Sequence, residues 1–118
     1  MDKMLYAALL FDFYGWLLTE KQRRAFEMHI ENDFSLAEIA DELKISRQGV
    51  LDLLKRSGET MNRYEGILRL IEKNRERNVL SGEIKKIIGA IMDEANGDNL
   101  LINDLRAITE KLEKMSEV

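Results

Sequence analysis

No proline occurs among the 118 residues, and the 7 glycines are isolated along the chain. Proline and glycine are the residues that most strongly interrupt helices. Leucine, glutamate and lysine, which favour helices, are frequent here, and apolar residues recur every three or four positions. The sequence therefore predicts an all-α protein.

The composition also limits which catalytic and metal-binding sites the chain can form. There is no cysteine, which excludes disulfides, thiolate metal ligands and cysteine nucleophiles. His29 is the only histidine, and we expect it to be structural. The glycines form no phosphate-binding loop, and adjacent acidic pairs such as Asp93 and Glu94 point about 100° apart on a helix. We therefore predict that the protein is not an enzyme and has no catalytic residues, metal or cofactor.

The beginning of the chain does not resemble an export signal. Asp2 stands where such a signal carries basic residues, and no small-residue cleavage site follows Leu17. The apolar stretch over residues 4–18 contains Asp12 and is shorter than the roughly 20 residues that cross a bilayer. We expect a cytoplasmic protein without membrane insertion.

Capping patterns predict where several helices begin. Thr19 and Ser35 are each followed three residues later by Gln or Glu, which is the capping-box pattern. Ser46 is a favourable N-cap for a helix that begins at Arg47. From there the helical pattern continues to about Asn78.

Later boundaries are marked less strongly. The long helix either continues through Gly58 and Gly66 or kinks or breaks there into two helices. Ser81 is expected to begin a further helix. The turn residues 96–99 precede a last helix from residue 100 to about residue 115. We place an N-terminal domain at residues 1–64 and a helical C-terminal arm at residues 65–118.

Three apolar stripes need partners. The first helix carries one on Leu5, Leu9, Phe13 and Trp16, and the last helix another on Leu101, Leu105, Ile108 and Leu112. The long helix carries a heptad seam on Val50, Leu54, Ser57, Met61, Tyr64, Leu68 and Ile71. The seam packs either against the first or last helix of its own chain or against a second chain. We favour a homodimer in which the last helix crosses to the seam of the second chain.

Residues 36–54 have the pattern of a helix-turn-helix. Ala40 stands where two steeply crossing helices approach most closely, and only a small side chain fits there. Ile45 in the turn and Val50 on the second helix fill the angle between them. Lys44 occupies a turn position that favours glycine, because the backbone there is left-handed.

The second helix of such a motif lies in a major groove of DNA. Arginine and glutamine suit guanine and adenine edges because each forms a bidentate pair. We expect Arg47, Gln48, Leu51 and Lys55 to face the bases, and Ser46, Arg56 and Arg23 to contact phosphates. Residues 44–56 carry four basic side chains and one acidic, but residues 19–64 carry eight basic and nine acidic. That balance predicts weak binding by a monomer, or a motif that binds protein instead.

Longer stretches carry a resemblance to known proteins. Residues 18–23, 34–40 and 45–50 resemble the fourth region of sigma-70-type sigma factors. The run from Ser46 to Gly49 and Val50, followed by Leu-Lys-Arg at 54–56, and the aromatic-rich first helix resemble more closely the YlxM-like family of small bacterial helix-turn-helix proteins. The resemblance covers about residues 4–72.

The resemblance implies a sigma-region-four-like helical domain and a non-enzymatic, regulatory or accessory nucleic-acid-binding protein. Genes of this family tend to lie beside those for the signal recognition particle GTPase and its receptor, which implies an association with that pathway. The partner would be DNA or the particle's RNA. The alternative is an adaptor whose helix-turn-helix face docks the GTPase, its receptor or the RNA without sequence-specific DNA binding.

Overall fold

The computed structural model describes residues 2–116, and within that range it contains six α-helices, one 3-10 turn and no strand. The helices are α1 (Lys3–Tyr14), α2 (Glu20–Ile30), α3 (Leu36–Leu43), α4 (Arg47–Leu68), α5 (Leu70–Glu94) and α6 (Asn99–Ser116), with the 3-10 turn at Gly15–Leu17. The prediction of an all-α fold is confirmed. Over residues 2–116, no helix combines the length and the apolar character that crossing a bilayer requires.

Both predicted capping boxes are present. The Thr19 hydroxyl accepts the Gln22 N–H at 3.2 Å, and the Gln22 side-chain oxygen accepts the Thr19 N–H at 3.1 Å. Ser35 and Glu38 make the same reciprocal pair at 3.1 Å each. Hydrogen bonds from the Ser35 N–H and then its hydroxyl hold the pKa of Glu38 below its ordinary value. Each box satisfies N–H groups that have no partner inside the helix.

Three turns between helices use a left-handed backbone without glycine. The residues concerned are Asp33, Lys44 and Arg69, with φ of 55°, 56° and 55°. Such a conformation costs a residue with a side chain about 1–2 kcal/mol. Part of that cost is offset by hydrogen bonds that close the preceding turn, such as the bond from the Arg69 N–H to the Glu65 carbonyl at 2.8 Å.

The structure decides between the alternatives for the long helix and shows that the helix start predicted at Ser81 is wrong. The chain stays helical through Gly58 and Gly66, and the break lies at Arg69. A glycine inside a helix costs only about 1 kcal/mol, and packing of the buried Ser57 and Met61 outweighs it. Ser81 does not begin a helix but lies buried inside α5, because no proline or glycine interrupts the residues before it.

The chain divides into two compact units, one through Ile71 and the other from Glu72. The first unit contains α1 to α4 and extends past residue 64, because Glu65 and Ile71 make contacts inside it. The second unit contains most of α5 together with α6. In the turn before α6 Gly97 has a φ of +81°, and the Asp98 carboxylate accepts the Leu101 N–H at 3.1 Å.

In the first unit α1 packs along α4. Buried side chains of α1 and the turn after it meet the buried Met61 of α4, and Leu54 and Tyr64 pack against the same cluster. These are the middle positions of the predicted seam, so the seam is covered by the first helix of its own chain. This agrees with the alternative in which the seam packs against the first helix of its own chain. The crossing of α6 to the seam of a second chain stays a prediction.

A hydrogen-bond cluster ties α1 to the junction of α4 and α5. The buried Tyr14 hydroxyl donates to the Glu65 carboxylate at 2.6 Å and accepts the Leu70 N–H at 3.1 Å. The same carboxylate oxygen accepts the Ile71 N–H at 3.0 Å. Two N–H groups at the beginning of α5 are thus satisfied by side chains of α1 and α4. Burial, and next the hydrogen bond to Glu65, raise the pKa of Tyr14 above its ordinary value.

We expect Tyr14→Phe to lower the free energy of unfolding by about 1–3 kcal/mol, because it removes a bond to a carboxylate and the acceptor of the Leu70 N–H. The effect should depend on pH. Below about pH 10 the Tyr14 phenol is protonated in both the folded and the unfolded state, and its full contribution to the free energy of unfolding is present. Because the folded pKa is raised, the contribution is lost as the pH rises above about 10 towards the folded value.

Urea denaturation of the parent and of Tyr14→Phe at several pH values from neutral to alkaline measures this pH dependence of the free energy of unfolding. The variant should lose less stability than the parent above about pH 10. Tyr64→Phe is the matched control: its ring stacks on Tyr14, but no hydrogen bond of its hydroxyl is found among residues 2–116. An alkaline loss in Tyr14→Phe equal to that of the parent would contradict the role of the phenol.

Candidate nucleic-acid interface

Helices α2, α3 and α4 pack around a second buried cluster. Its centre is formed by Ala25, Ile39, Ala40 and Val50, with Met28, Phe34, Leu36, Leu43, Ile45, Leu53 and Leu54 packed around it. Ala40 and Val50 are buried at the contact of α3 with α4, as predicted. The arrangement α2–α3–turn–α4 is a helix-turn-helix with α4 as the recognition helix.

The turn is fixed by local hydrogen bonds. The N–H groups of Lys44 and Ile45 both donate to the Ala40 carbonyl, the latter at 3.1 Å. The Ser46 hydroxyl accepts the Gly49 N–H at 2.9 Å and caps α4. A Cβ at position 49 would lie 3.2 Å from that hydroxyl, so glycine there leaves room for the cap. The direction in which the recognition helix leaves the turn is therefore set by backbone geometry.

The predicted base-facing residues lie on the first turns of α4. Arg47, Gln48 and Lys55 are exposed, and Leu51 is 44% exposed. Gln48, Leu51 and Lys55 are spaced three and four apart, which places them on one side of the helix. We call Arg47, Gln48, Leu51 and Lys55 the recognition face.

Two of the predicted phosphate contacts lie beside this face. Ser46 is exposed, and its hydroxyl already serves as the N-cap of α4. Arg56 forms an ion pair with Asp52 at 3.2 Å, and both side chains are largely exposed. An exposed pair of this kind contributes at most about 1 kcal/mol, so Arg56 can exchange Asp52 for another anion at little cost.

Arg23 lies in a different setting. It lines a groove of about 400 Å³ between α1 and α2, together with Phe11, Gly15, Trp16, Glu20, Arg24, Glu27 and Glu31. No residue of α4 lines this groove. Three carboxylates against two guanidinium groups make it a poor place for a phosphate. The structure does not bring Arg23 together with the recognition face.

Sequence reasoning missed a second feature of α4. Leu51 and Lys55 line a mostly apolar groove of about 580 Å³, formed with side chains of α1, α2 and α3. The formally charged residues that line this groove are Lys3 and Lys55, and His29 also lines it. The Nδ1 atom of His29 is buried and has no hydrogen-bond partner among the described residues. An apolar Leu51 at an outward position was the one indication of this groove in the sequence.

Trp16 is also placed differently from the prediction. Instead of lying on an inward stripe of α1 it follows that helix in the 3-10 turn and is 71% exposed. Its indole N–H donates to the Phe13 carbonyl at 3.0 Å, which holds the ring in one orientation. Helical spacing failed here because α1 ends at Tyr14.

Comparison with known proteins identifies the family. Residues 1–108 match the model of the UPF0122 family, described as "Putative helix-turn-helix protein, YlxM / p13 like". The chain belongs to this YlxM-like family. A UPF0122 protein of Thermoanaerobacter sp. (strain X514) is 41% identical over 115 residues, covering 98% of this chain and 97% of the relative.

Two further relatives show how far the similarity extends. A UPF0122 protein of Caldanaerobacter subterraneus is 49% identical over 87 residues, which is 74% of each chain. The UPF0122 protein YlxM of Bacillus subtilis is 35% identical over 115 residues, covering 98% of this chain and 97% of the relative. The family resemblance inferred from the helix-turn-helix residues is thus confirmed, and the match extends into α6.

We expect Ala40→Glu to lower the free energy of unfolding by about 3 kcal/mol or more, because it places an unpaired charge between α3 and α4. The measurement is chemical denaturation followed by circular dichroism. Ala37→Glu is the matched control, since Ala37 lies on the same helix but is exposed. Similar denaturation curves for the two variants would contradict the close helix contact at Ala40.

We expect Lys44→Gly to raise the free energy of unfolding by about 0.5–1 kcal/mol, because glycine adopts the left-handed backbone without the strain that a side chain causes. Thermal or urea denaturation measures the gain. Lys44→Ala is the control, since alanine removes the charge but keeps a Cβ. An equal gain in both variants would assign the effect to charge and not to the backbone.

Proposed function

We propose that this protein is a non-enzymatic, cytoplasmic regulatory or accessory protein that binds nucleic acid through the recognition face of α4. The observation that carries the proposal is the helix-turn-helix itself: α3 and the turn bury one side of α4 and leave Arg47, Gln48 and Lys55 exposed. Membership of a helix-turn-helix family supports it.

Each residue of the face suits a particular contact. Arg47 and Gln48 follow the N-cap, where the first turn of a recognition helix meets base edges, and their side chains suit guanine and adenine. Leu51 can contact a thymine methyl group, and Lys55 lies one turn further along the same side. Ser46 and Arg56 flank the face and would contact phosphates.

The electrostatics favour weak, salt-sensitive binding. The chain as a whole carries a net charge of -4, and residues 44–56, which include the recognition face, carry only four basic side chains and one acidic. Phosphate neutralisation supplies most of the affinity of DNA-binding proteins, and a small basic surface supplies little. A two-fold homodimer would join two such sites and raise the effective concentration of the second.

We place this activity in the signal recognition particle pathway, with DNA and the particle's RNA as the nucleic acids to be compared. The support for the pathway is the resemblance of residues 4–72 to the YlxM-like family. The helix-turn-helix geometry supports a nucleic-acid partner without choosing between duplex DNA and structured RNA.

The groove beside the face favours a second candidate function, an adaptor that docks the pathway's GTPase or its receptor. The groove is lined by apolar residues, and its charged lining residues, Lys3 and Lys55, are both basic. An apolar helix face flanked by acidic residues would complement it. Leu51 and Lys55 belong to both the groove and the recognition face, so the two functions would compete.

Binding to duplex DNA and to the particle's RNA, measured in parallel by gel shift, tests the proposal. We expect Arg47→Ala to cost about 1–3 kcal/mol and to relax sequence preference, because it removes a base contact. Arg56→Ala should weaken all sequences alike and reduce the salt slope by about 1, because it removes a phosphate contact.

Arg63→Ala is the control, since Arg63 is exposed on α4 but lies beyond the recognition face. Its affinity should stay close to that of the parent. Equal losses in Arg47→Ala and Arg63→Ala would contradict base recognition. No affinity for either nucleic acid at about 50 mM salt would favour the adaptor.

A further inference from the structure

An apolar row on α5 is exposed in the structure. The row consists of Leu80, Ile84, Ile87 and Ile91, which are 58%, 41%, 61% and 42% exposed. Their spacing of four, three and four is the heptad pattern of a helix that pairs with another helix. The adjacent Ser81 and Ile88 are buried, so α5 already packs one side while this row lies in solvent.

The apolar row is symmetric about its centre along the helix. Counted from the point between Lys85 and Lys86, Ile84 and Ile87 are equally distant, and so are Leu80 and Ile91. When the heptad spacing is continued by three residues at each end of the row, it reaches Arg77 and Glu94, which are also equally distant from this point and carry opposite charges. An antiparallel copy of α5 would therefore place apolar residues opposite apolar residues and each arginine opposite a glutamate.

We propose that α5 pairs antiparallel with α5 of a second copy across a two-fold axis. An isologous interface requires a surface that complements itself, and the four apolar positions of the row together with Arg77 and Glu94 meet that requirement. Parallel pairing would place Arg77 opposite Arg77 and Glu94 opposite Glu94. Both side chains are exposed, and neither makes an ion pair within residues 2–116.

The central lysines do not oppose this pairing. When Ile84 and Ile91 are taken as position a and Leu80 and Ile87 as position d, Lys85 and Lys86 fall at b and c, on the side away from the partner. The interface would supply the two-fold pairing on which the proposed function draws. The interface is tested by the molecular mass of the protein, whereas the proposed function is tested by binding to nucleic acid. The interface can therefore fail while nucleic-acid binding holds, and the reverse.

Sedimentation and light scattering of the full chain test the interface. The parent should have a mass near twice 13.7 kDa, and Ile87→Glu should return it to 13.7 kDa. Because Ile87 is exposed in the single chain, the substitution should leave helicity unchanged. Val79→Glu is the matched control, since Val79 is 54% exposed on the same helix but lies outside the row, and it should stay dimeric.

A charge exchange tests the antiparallel register. Arg77→Glu alone should raise the dimer Kd about tenfold, because it turns two attractive pairs into repulsive ones. Adding Glu94→Arg should return Kd to within about threefold of the parent, a recovery that parallel pairing does not predict. A parent that stays monomeric up to about 1 mM would overturn the proposal, and so would an Ile87→Glu variant that dimerises like the parent.

Discussion

The Tyr14 hydroxyl and the Glu65 carboxylate meet at 2.6 Å at the point where α1, α4 and α5 come together. This contact fixes α1 against the second half of α4 and supplies acceptors for the N–H groups of Leu70 and Ile71. Burying a phenol is costly without hydrogen bonds, and the bonds with Glu65 and Leu70 satisfy the buried Tyr14 hydroxyl. The contact therefore joins α1, the end of α4 and the beginning of α5 through hydrogen bonds.

Helix α4 serves two cores at once. Its first turns pack against α2 and α3, its later turns pack against α1, and Leu54 contacts both clusters. Both cores bury the inner side of α4, and its first turns leave an exposed outer side that includes Gln48 and Lys55. A helix held in this way presents its exposed side chains from a rigid backbone, which suits recognition of a surface of fixed shape.

Helix beginnings were predictable from sequence because their causes are local. Thr19, Ser35 and Ser46 each bond to the backbone three residues ahead, so cap and partner can be read together. The break at Arg69 was not predictable in this way. It coincides with the contact between Glu65 and Tyr14, residues that are separated by 51 positions along the chain.

The helical class, the helix-turn-helix and the outer face of its second helix follow from the sequence alone, since caps, turn and spacing all act within a few residues. Which helix covers which apolar row follows from the three-dimensional packing. Periodicity shows that a helix has an apolar side, but it does not name the partner of that side. The contacts that bury a side chain come from residues distant along the chain. For this reason periodicity did not show that α1 covers the middle of the α4 seam, that Trp16 lies in solvent, or that the row from Leu80 to Ile91 is exposed.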